Sequence, residues 1–304
     1  MIQLFTRDKI DTDRWDDCIS QSPDGQIFAY SWYLDICCPG WMGLINDDYT
    51  SVFPLAGRNK FGVHYLYQPF FTRHFGLFSI HPSNAIERIE FLNAIPKKYR
   101  YWDFCLHTAH QESPEDNTGE KRIYQFIDLN QDYTTLSGRY HDNHIRNLRK
   151  AEKEGLKILP DYNPDIVVEH FKYHQKEKNL GFEEGDFKTL KRLMKISGKM
   201  SGSKCWAAVT QEGEVLAGAF FMESNQRIVY LKGFTTDKGK KIGAMHYIFD
   251  RLIRANVGKE IILDFGGSSV ESVARFFKGF GASDSVYLHL RINRLPTLLR
   301  WLRN

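Results

Sequence analysis

Asp264 follows the apolar run Ile261-Ile262-Leu263 and precedes Phe265-Gly266-Gly267. The run reads as a buried strand over Glu260–Phe265, which puts Asp264 at its carboxyl end, where open sheets collect reactive groups. A carboxylate there can orient an incoming ammonium or take its proton. The alternative is a fixed carboxylate bonded to the following turn, which Ser268 or Ser269 caps into a helix. Lys278 sits inside Phe276-Phe277-Lys278-Gly279-Phe280, so its stem packs while its ammonium reaches out. A phosphate or a developing oxyanion nearby is stabilised by such a group. A snorkelling lysine without a ligand is the alternative.

Arg146, Arg149, Lys150 and Lys153 recur at helical spacing and form one basic stripe, which His141 and His144 extend by a turn. Such a stripe grips the phosphates of a nucleotide or a tRNA. A solvated helix face gives the same spacing. Cys105-x-His107-x-x-His110 holds metal-ligand types but lacks a fourth ligand at regular spacing, so no metal is expected. Asp264-Phe265-Gly266 is not a kinase signature here, because no Gly-rich loop or H-R-D-x-x-x-x-N segment accompanies it. Neither G-x-S-x-G nor G-x-x-x-x-G-K-[ST] occurs, which argues against an α/β-hydrolase and a P-loop NTPase.

The elements that must position these residues follow from hydrophobic period and breakers. In the second half the pattern predicts a helix from Asp132 to Glu154 stopped by Gly155, and a strand over Leu156–Leu159. Helices follow over Pro164–Lys178 and Asp186–Lys199, then antiparallel strands Trp206–Thr210, Val215–Glu223 and Gln226–Thr235. A helix over Ile242–Val257, the Asp264 strand, a helix over Ser269–Phe280, a strand over Ser285–Ile292 and a last helix over Leu295–Leu302 complete it. Tyr230, Lys232 and Phe234 then alternate on one face of the third antiparallel strand. The first half reads as a looser copy: strand, two helices, three strands, helix, two strands. We therefore expect an α+β (α/β) protein of two tandem units, 1–130 and 131–304, with the last helix packing back on the first.

The 304 residues suit two such units. Hydrophobic residues make up 42% and the chain has 22 Phe, 15 Tyr and 6 Trp, too many for a disordered chain. Residues 1–130 carry 12 basic and 17 acidic side chains, while residues 131–304 carry 29 and 20. The second half therefore faces an anionic partner, or simply bears a solvated basic surface. No apolar run approaches the roughly 20 residues of a spanning helix, and the charged first 13 residues hold no signal-peptide core. Five cysteines without CxxC read as free thiols, and the expected location is the cytoplasm.

The element order resembles the GNAT acyltransferase fold, and two copies in one chain resemble its FemAB-like branch. Ile262-Leu263-Asp264-Phe265-Gly266-Gly267 followed by Phe276-Phe277-Lys278-Gly279-Phe280-Gly281 is similar to that branch's "yDfgG … FKkgFG" signature. His144-Ile145-Arg146-Asn147-Leu148-Arg149-Lys150-Ala151 resembles the "R..iR.a.k.G" opening of its second unit. The resemblance implies two GNAT-like units, each a mixed, mainly antiparallel sheet flanked by helices. It implies transfer of an acyl or aminoacyl group from an activated carbonyl to an amine, with no permanently bound cofactor. The donor would be acyl-CoA or aminoacyl-tRNA, and the substrate an anionic small molecule or a nucleotide-linked one. In this setting the Tyr230 strand lends a backbone N–H to the acyl carbonyl. Tyr230 serves as acid to the leaving group, and Lys232 meets the substrate.

One departure concerns the GNAT phosphate turn, Q/R-x-x-G-x-G/A, whose N–H groups hold the pyrophosphate of acetyl-CoA. Here it reads Lys238-Gly239-Lys240-Lys241-Ile242-Gly243-Ala244, with Lys241 at the first glycine position. Lys238, Lys241 and Gly243 are the candidate phosphate contacts. A basic turn into a helix is the alternative. Two readings stand beside the aminoacyl and acyl transferase: an acyl-CoA-dependent N-acetyltransferase, and a non-catalytic binding protein that keeps the fold.

Overall fold

The computed structural model describes residues 1–82, 85–107, 119–178, 181–266 and 271–296. The chain divides into two units, Met1–Arg122 with Val286 onward, and Ile123–Ser285.

The first unit opens with β1 (Gln3–Thr6), α1 (Thr12–Gln21), α2 (Ser31–Cys37), β2 (Met42–Ile45), β3 (Ser51–Leu55) and β4 (Gly57–Lys60). It continues with β5 (Val63–Tyr67), β6 (Phe78–Ser79), α3 (Ala85–Asn93) and β7 (Tyr99–Leu106). Asp11 starts α1 by accepting from the N–H groups of Asp13 and Arg14, a cap worth about 1 kcal/mol. The core gathers on Trp15 and Trp41, both fully buried with centroids 4.7 Å apart edge to face.

The second unit contains β8 (Gly119–Asp128), α4 (Tyr133–Ser137), α5 (Asp142–Lys153), β9 (Lys157–Leu159), α6 (Pro164–Lys178), α7 (Glu184–Met200) and β10 (Lys204–Val209). Then come β11 (Val215–Ser224), β12 (Arg227–Thr235), α8 (Asp237–Ile242), α9 (Ala244–Arg254), β13 (Ile262–Gly266) and α10 (Glu271–Lys278), after which β14 (Ser283–Asn293) returns the chain to the first unit. Leu216, Ala217, Ala219 and Phe221 of β11 pack with Ile248, Phe249, Leu252 and Ile253 of α9 in the core.

A similar order of pairings runs through both units, but in the first it is split between two sheets, since β3 pairs on with β6 and β4 begins the other sheet. In the first, β1–β2, β2–β3 and β4–β5 are antiparallel, β5–β7 is parallel and β7–β14 antiparallel. In the second, β9–β10, β10–β11 and β11–β12 are antiparallel, β12–β13 is parallel and β13–β8 antiparallel. The closing strand of each series comes from the other half of the chain. That exchange is why the observed division departs from 1–130 and 131–304. The strand expected to end the second unit bonds instead to β7, and its Leu288 and Leu290 are buried in the first unit's core. Leu295 packs on Tyr65 and Tyr101 of the first unit, and the last helix expected over Leu295–Leu302 lies outside the described residues from 297 on.

Two long helices expected from the sequence are broken. The Asp132–Glu154 helix becomes α4 and α5, because the His141 N–H goes to the Gly279 carbonyl at 2.9 Å and His141 is extended. The Ile242–Val257 helix begins earlier, at Asp237, and is split by Gly243, whose φ of +79° is left-handed. A Cβ at Gly243 would also stand 2.6 Å from the Asn147 carbonyl oxygen. The mixed α+β class and the run of strands and helices around Asp264 are as expected.

Candidate active site

β12 is the element on which the site turns. Its parallel ladder with β13 holds Arg227↔Ile262, Ile228↔Leu263 and Val229↔Asp264, and stops there. β12 runs on to Thr235, so among the described residues its edge from Tyr230 onward has no strand beside it on the β13 side. Its antiparallel register with β11 slips in the same place. Phe221 faces Tyr230, but the next residue back, Phe220, faces Lys232. Leu231 is therefore an extra residue, a β-bulge that bends the strand and re-aims its side chains.

The bulge corrects one expectation. Tyr230, Lys232 and Phe234 do not share a face. Tyr230 joins Phe221, Phe249 and Phe277 on the α9 side, with centroids 5.7, 5.1 and 6.0 Å away. Burial raises its phenol well above the ordinary range. Lys232 and Phe234 face α6 instead. The Lys232 ammonium lies 4.7 Å from the centre of the Phe171 ring, and Phe234 stacks flat on His170 at 3.8 Å. Burial pulls the Lys232 amine down to about 8. No hydrogen bond or ion pair of that ammonium is found among the described residues.

Asp264 is fully buried. One carboxylate oxygen accepts the Gly266 N–H at 2.8 Å and the other lies 3.3 Å from the Arg227 guanidinium. It fixes the strand end at Gly266; Gly267, Ser268 and Ser269 lie outside the described residues. Lys278, at the end of α10, is half exposed and pairs at 2.8 Å with Asp284, which also takes the Gln125 amide at 3.2 Å.

The basic helix is α5, and Arg146, Arg149, Lys150 and Lys153 lie on it, all four exposed. His144 leaves that stripe. It is buried, its Nε2 lies 2.8 Å from the Phe276 carbonyl, and its ring packs on His246 and Phe280 at 4.5 Å each. The cause is helical spacing, since His144, Leu148 and Ala151 form the inward face of α5. The turn before α9 is largely self-satisfied. Lys238 pairs with Glu214 and Lys240 with Asp237, while Lys241 is exposed. Thr236 caps α8 through the Gly239 N–H at 3.0 Å, and the α5 backbone at Asn147 packs on Gly243.

The structure thus gathers Tyr230, Lys232 and Asp264 along one pair of strands. Arg227, Phe171, His170 and the Leu231 bulge complete the neighbourhood, and the sequence reading did not single them out. Arg227 was legible as the basic residue opening the strand beside Asp264. A bulge leaves no such mark. Cys105 and His107 belong to the first unit, where burial pushes the Cys105 thiol up to about 11, and His110 lies outside the described residues. No helix among the described residues is long and apolar enough to cross a membrane.

No family model matches the chain, and no curated protein does. Solved structures do. FemX is 12% identical with a TM-score of 0.66, covering 99% of both chains. L-PGS from Bacillus licheniformis is 14% identical with a TM-score of 0.55, covering 95% of this chain and 93% of its own. The C-terminal domain of a putative lysylphosphatidylglycerol synthetase from Agrobacterium fabrum is 11% identical with a TM-score of 0.53, covering 91% and 90%. At these identities the likeness is one of fold, and the fold is FemAB-like, of two tandem GNAT-type units.

Proposed function

We propose that the protein transfers an acyl or aminoacyl group from an activated thioester or ester to an amine, at the opening between β12 and β13. One observation carries this reading: the parallel ladder ends at Val229/Asp264 while β12 continues through a bulge at Leu231. Unladdered backbone beside a strand end gives donors for a carbonyl oxygen that becomes negative in the transition state. The acceptor amine forms the new C–N bond and its nitrogen releases a proton, the C–S or C–O bond to the donor breaks, and the leaving thiolate or alkoxide takes a proton. In this reading Tyr230, whose burial keeps it protonated, supplies that proton and is restored by the one the amine nitrogen releases. Asp264 acts as a positioning residue, because both of its oxygens are engaged. Lys278 and the α5 stripe of Arg146 and Arg149 serve the donor's anionic part. The names of the structural neighbours, FemX and L-PGS among them, agree with a transferase of this class.

The turn before α9 favours aminoacyl-tRNA over acyl-CoA as donor. Two of its lysines are neutralised by carboxylates, and Gly243 is packed against Asn147 rather than open to a pyrophosphate. A phosphate-rich partner that meets the α5 stripe needs no such turn. The test is a transfer assay with acyl-CoA and aminoacyl-tRNA donors and a panel of amines, read by mass spectrometry, alongside identification of any co-purifying ligand. Acyl transfer with free thiol or deacylated tRNA as co-product supports the reading. A tightly bound ligand with no turnover from either donor would make the chain a binding protein.

A further inference from the structure

Lys232 is a partly buried cation for which no counter-charge is found among the described residues. It projects from β12 toward α6, and the described groups around it include the Phe171 ring of α6, Phe220 across the ladder and Phe234 on its own strand, which stacks on His170. None of these is a carboxylate. An aromatic face offsets only part of the desolvation of an ammonium. The bulge at Leu231 holds Lys232 on this face, within the unladdered stretch of β12. Had the ladder run on without the bulge, Lys232 would share a face with Tyr230 and sit in the aromatic core.

We propose that Lys232 holds an oxyanion of the acceptor substrate, a carboxylate or a phosphate, on the α6 face of β12. Calling that substrate the acceptor rests on the acyl-transfer reading; the oxyanion site itself does not. Among the described residues the site has one cation and a wall of rings, which suits a small acid with an apolar portion. Placed there, the acid would sit on the side of β12 opposite Tyr230 and α9. Lys232 thus serves a different end of the reaction from the groups proposed for the donor. The lowered amine agrees with this arrangement, because an anion that binds must raise it again.

The experiment uses the full chain and two probes, glutarate and inorganic phosphate, at constant ionic strength. Lysine reactivity is read residue by residue with trace acetic anhydride and mass spectrometry. Binding is read by calorimetry in wild type, Lys232→Met and Lys232→Arg, with circular dichroism as the check on folding. We expect one probe or both to slow Lys232 labelling at least about tenfold while exposed Lys195 and Lys199 are unchanged. Lys232→Met should weaken binding about tenfold or more, and Lys232→Arg should retain most of it. Protection by glutarate alone assigns a carboxylate, by phosphate alone a phosphate. No protection by either probe, or equal binding in wild type and folded Lys232→Met, overturns the site. A protein that binds the probe at Lys232 but transfers no acyl group keeps the site and removes the acyl-transfer reading. One that transfers, with Lys232→Met at unchanged acceptor KM, does the reverse.

Discussion

Tyr230 and Lys232 are two residues apart on β12 and face opposite sides of it, because the ladder slips by one residue at Leu231. Tyr230 joins the aromatic core beside Phe249 and Phe277, and Lys232 meets Phe171 under α6. Deleting Leu231 would restore the alternation and swing Lys232 toward that core. Burying an unpaired ammonium among rings costs several kcal/mol. We expect the deletion to lower stability by more than about 3 kcal/mol. Leu231→Ala, which keeps the residue count, should cost about 1–2 kcal/mol. Urea midpoints decide, and equal stability of the two variants would mean that the bulge does not set the faces.

The Arg227–Asp264 contact joins the start of β12 to the end of β13 with side chains 18% and 1% exposed. Arg227→Met strips a buried carboxylate of a partner but leaves the Gly266 N–H on its other oxygen. A fully buried pair broken this way costs about 3–5 kcal/mol. Here the water around Arg227 screens the loss, so about 2 kcal/mol is expected. Asp264→Asn should cost less, since an amide oxygen still accepts from Gly266. A chemical-denaturation series in which Arg227→Met matched wild type would return the pair to the solvated kind, worth under about 1 kcal/mol.

His144 and His246 give the second unit a dependence on pH. Their rings lie 4.5 Å apart, packed against Phe276 and Phe280 with His141 on the preceding turn. Burial lowers both imidazoles, His246 to about 3. Between about 3 and the ordinary value of 6.5 the unfolded chain therefore binds more protons than the native one. Stability falls as pH drops through that window and is fully present above it. Between about pH 7 and pH 5 His246 should contribute a loss of about 1–2 kcal/mol. His246→Phe should flatten that part of the curve, and parallel pH profiles for the two proteins would rule the assignment out.

Much of the frame was legible because it is written in period and punctuation. The alternation in Gln226–Thr235 and the apolar run before Asp264 locate β12 and β13, which the structure pairs in parallel. Gly155 ends α5 at a φ of +63°, as a helix-stopping glycine should. What stayed hidden depends on partners far away in sequence. The exchange of closing strands cannot be read locally, because β14 carries the same alternating pattern whether it pairs with β7 or with its own unit. The inward turn of His144 was visible in its spacing to Leu148 and Ala151 but was outweighed by the basic residues around it. The bulge has no residue signature at all, so the faces of Tyr230 and Lys232 could not be separated from sequence.

The glycine in Phe276-Phe277-Lys278-Gly279-Phe280 has a packing reason that ties it to α5. A Cβ at Gly279 would run into the His144 ring, and the Gly279 carbonyl accepts the His141 N–H that starts that helix. His144 cannot retreat easily, since Phe280 and His246 hold its other sides and its Nε2 is engaged by the Phe276 carbonyl. Gly279→Ala is an overpacking change at a rigid contact and should cost about 1–3 kcal/mol. His144→Ala removes the ring and leaves a cavity, at about 2–4 kcal/mol. If contact with the ring is what requires the glycine, the two changes are not additive. In the double variant the added methyl occupies space the imidazole has vacated, so the pair should cost at least about 1 kcal/mol less than the sum of the singles. Urea unfolding of the four proteins at about pH 7.5, above the window in which the histidines titrate, closes the cycle. Additive losses would place the strain of Gly279→Ala in the α10 backbone instead of in the His144 contact.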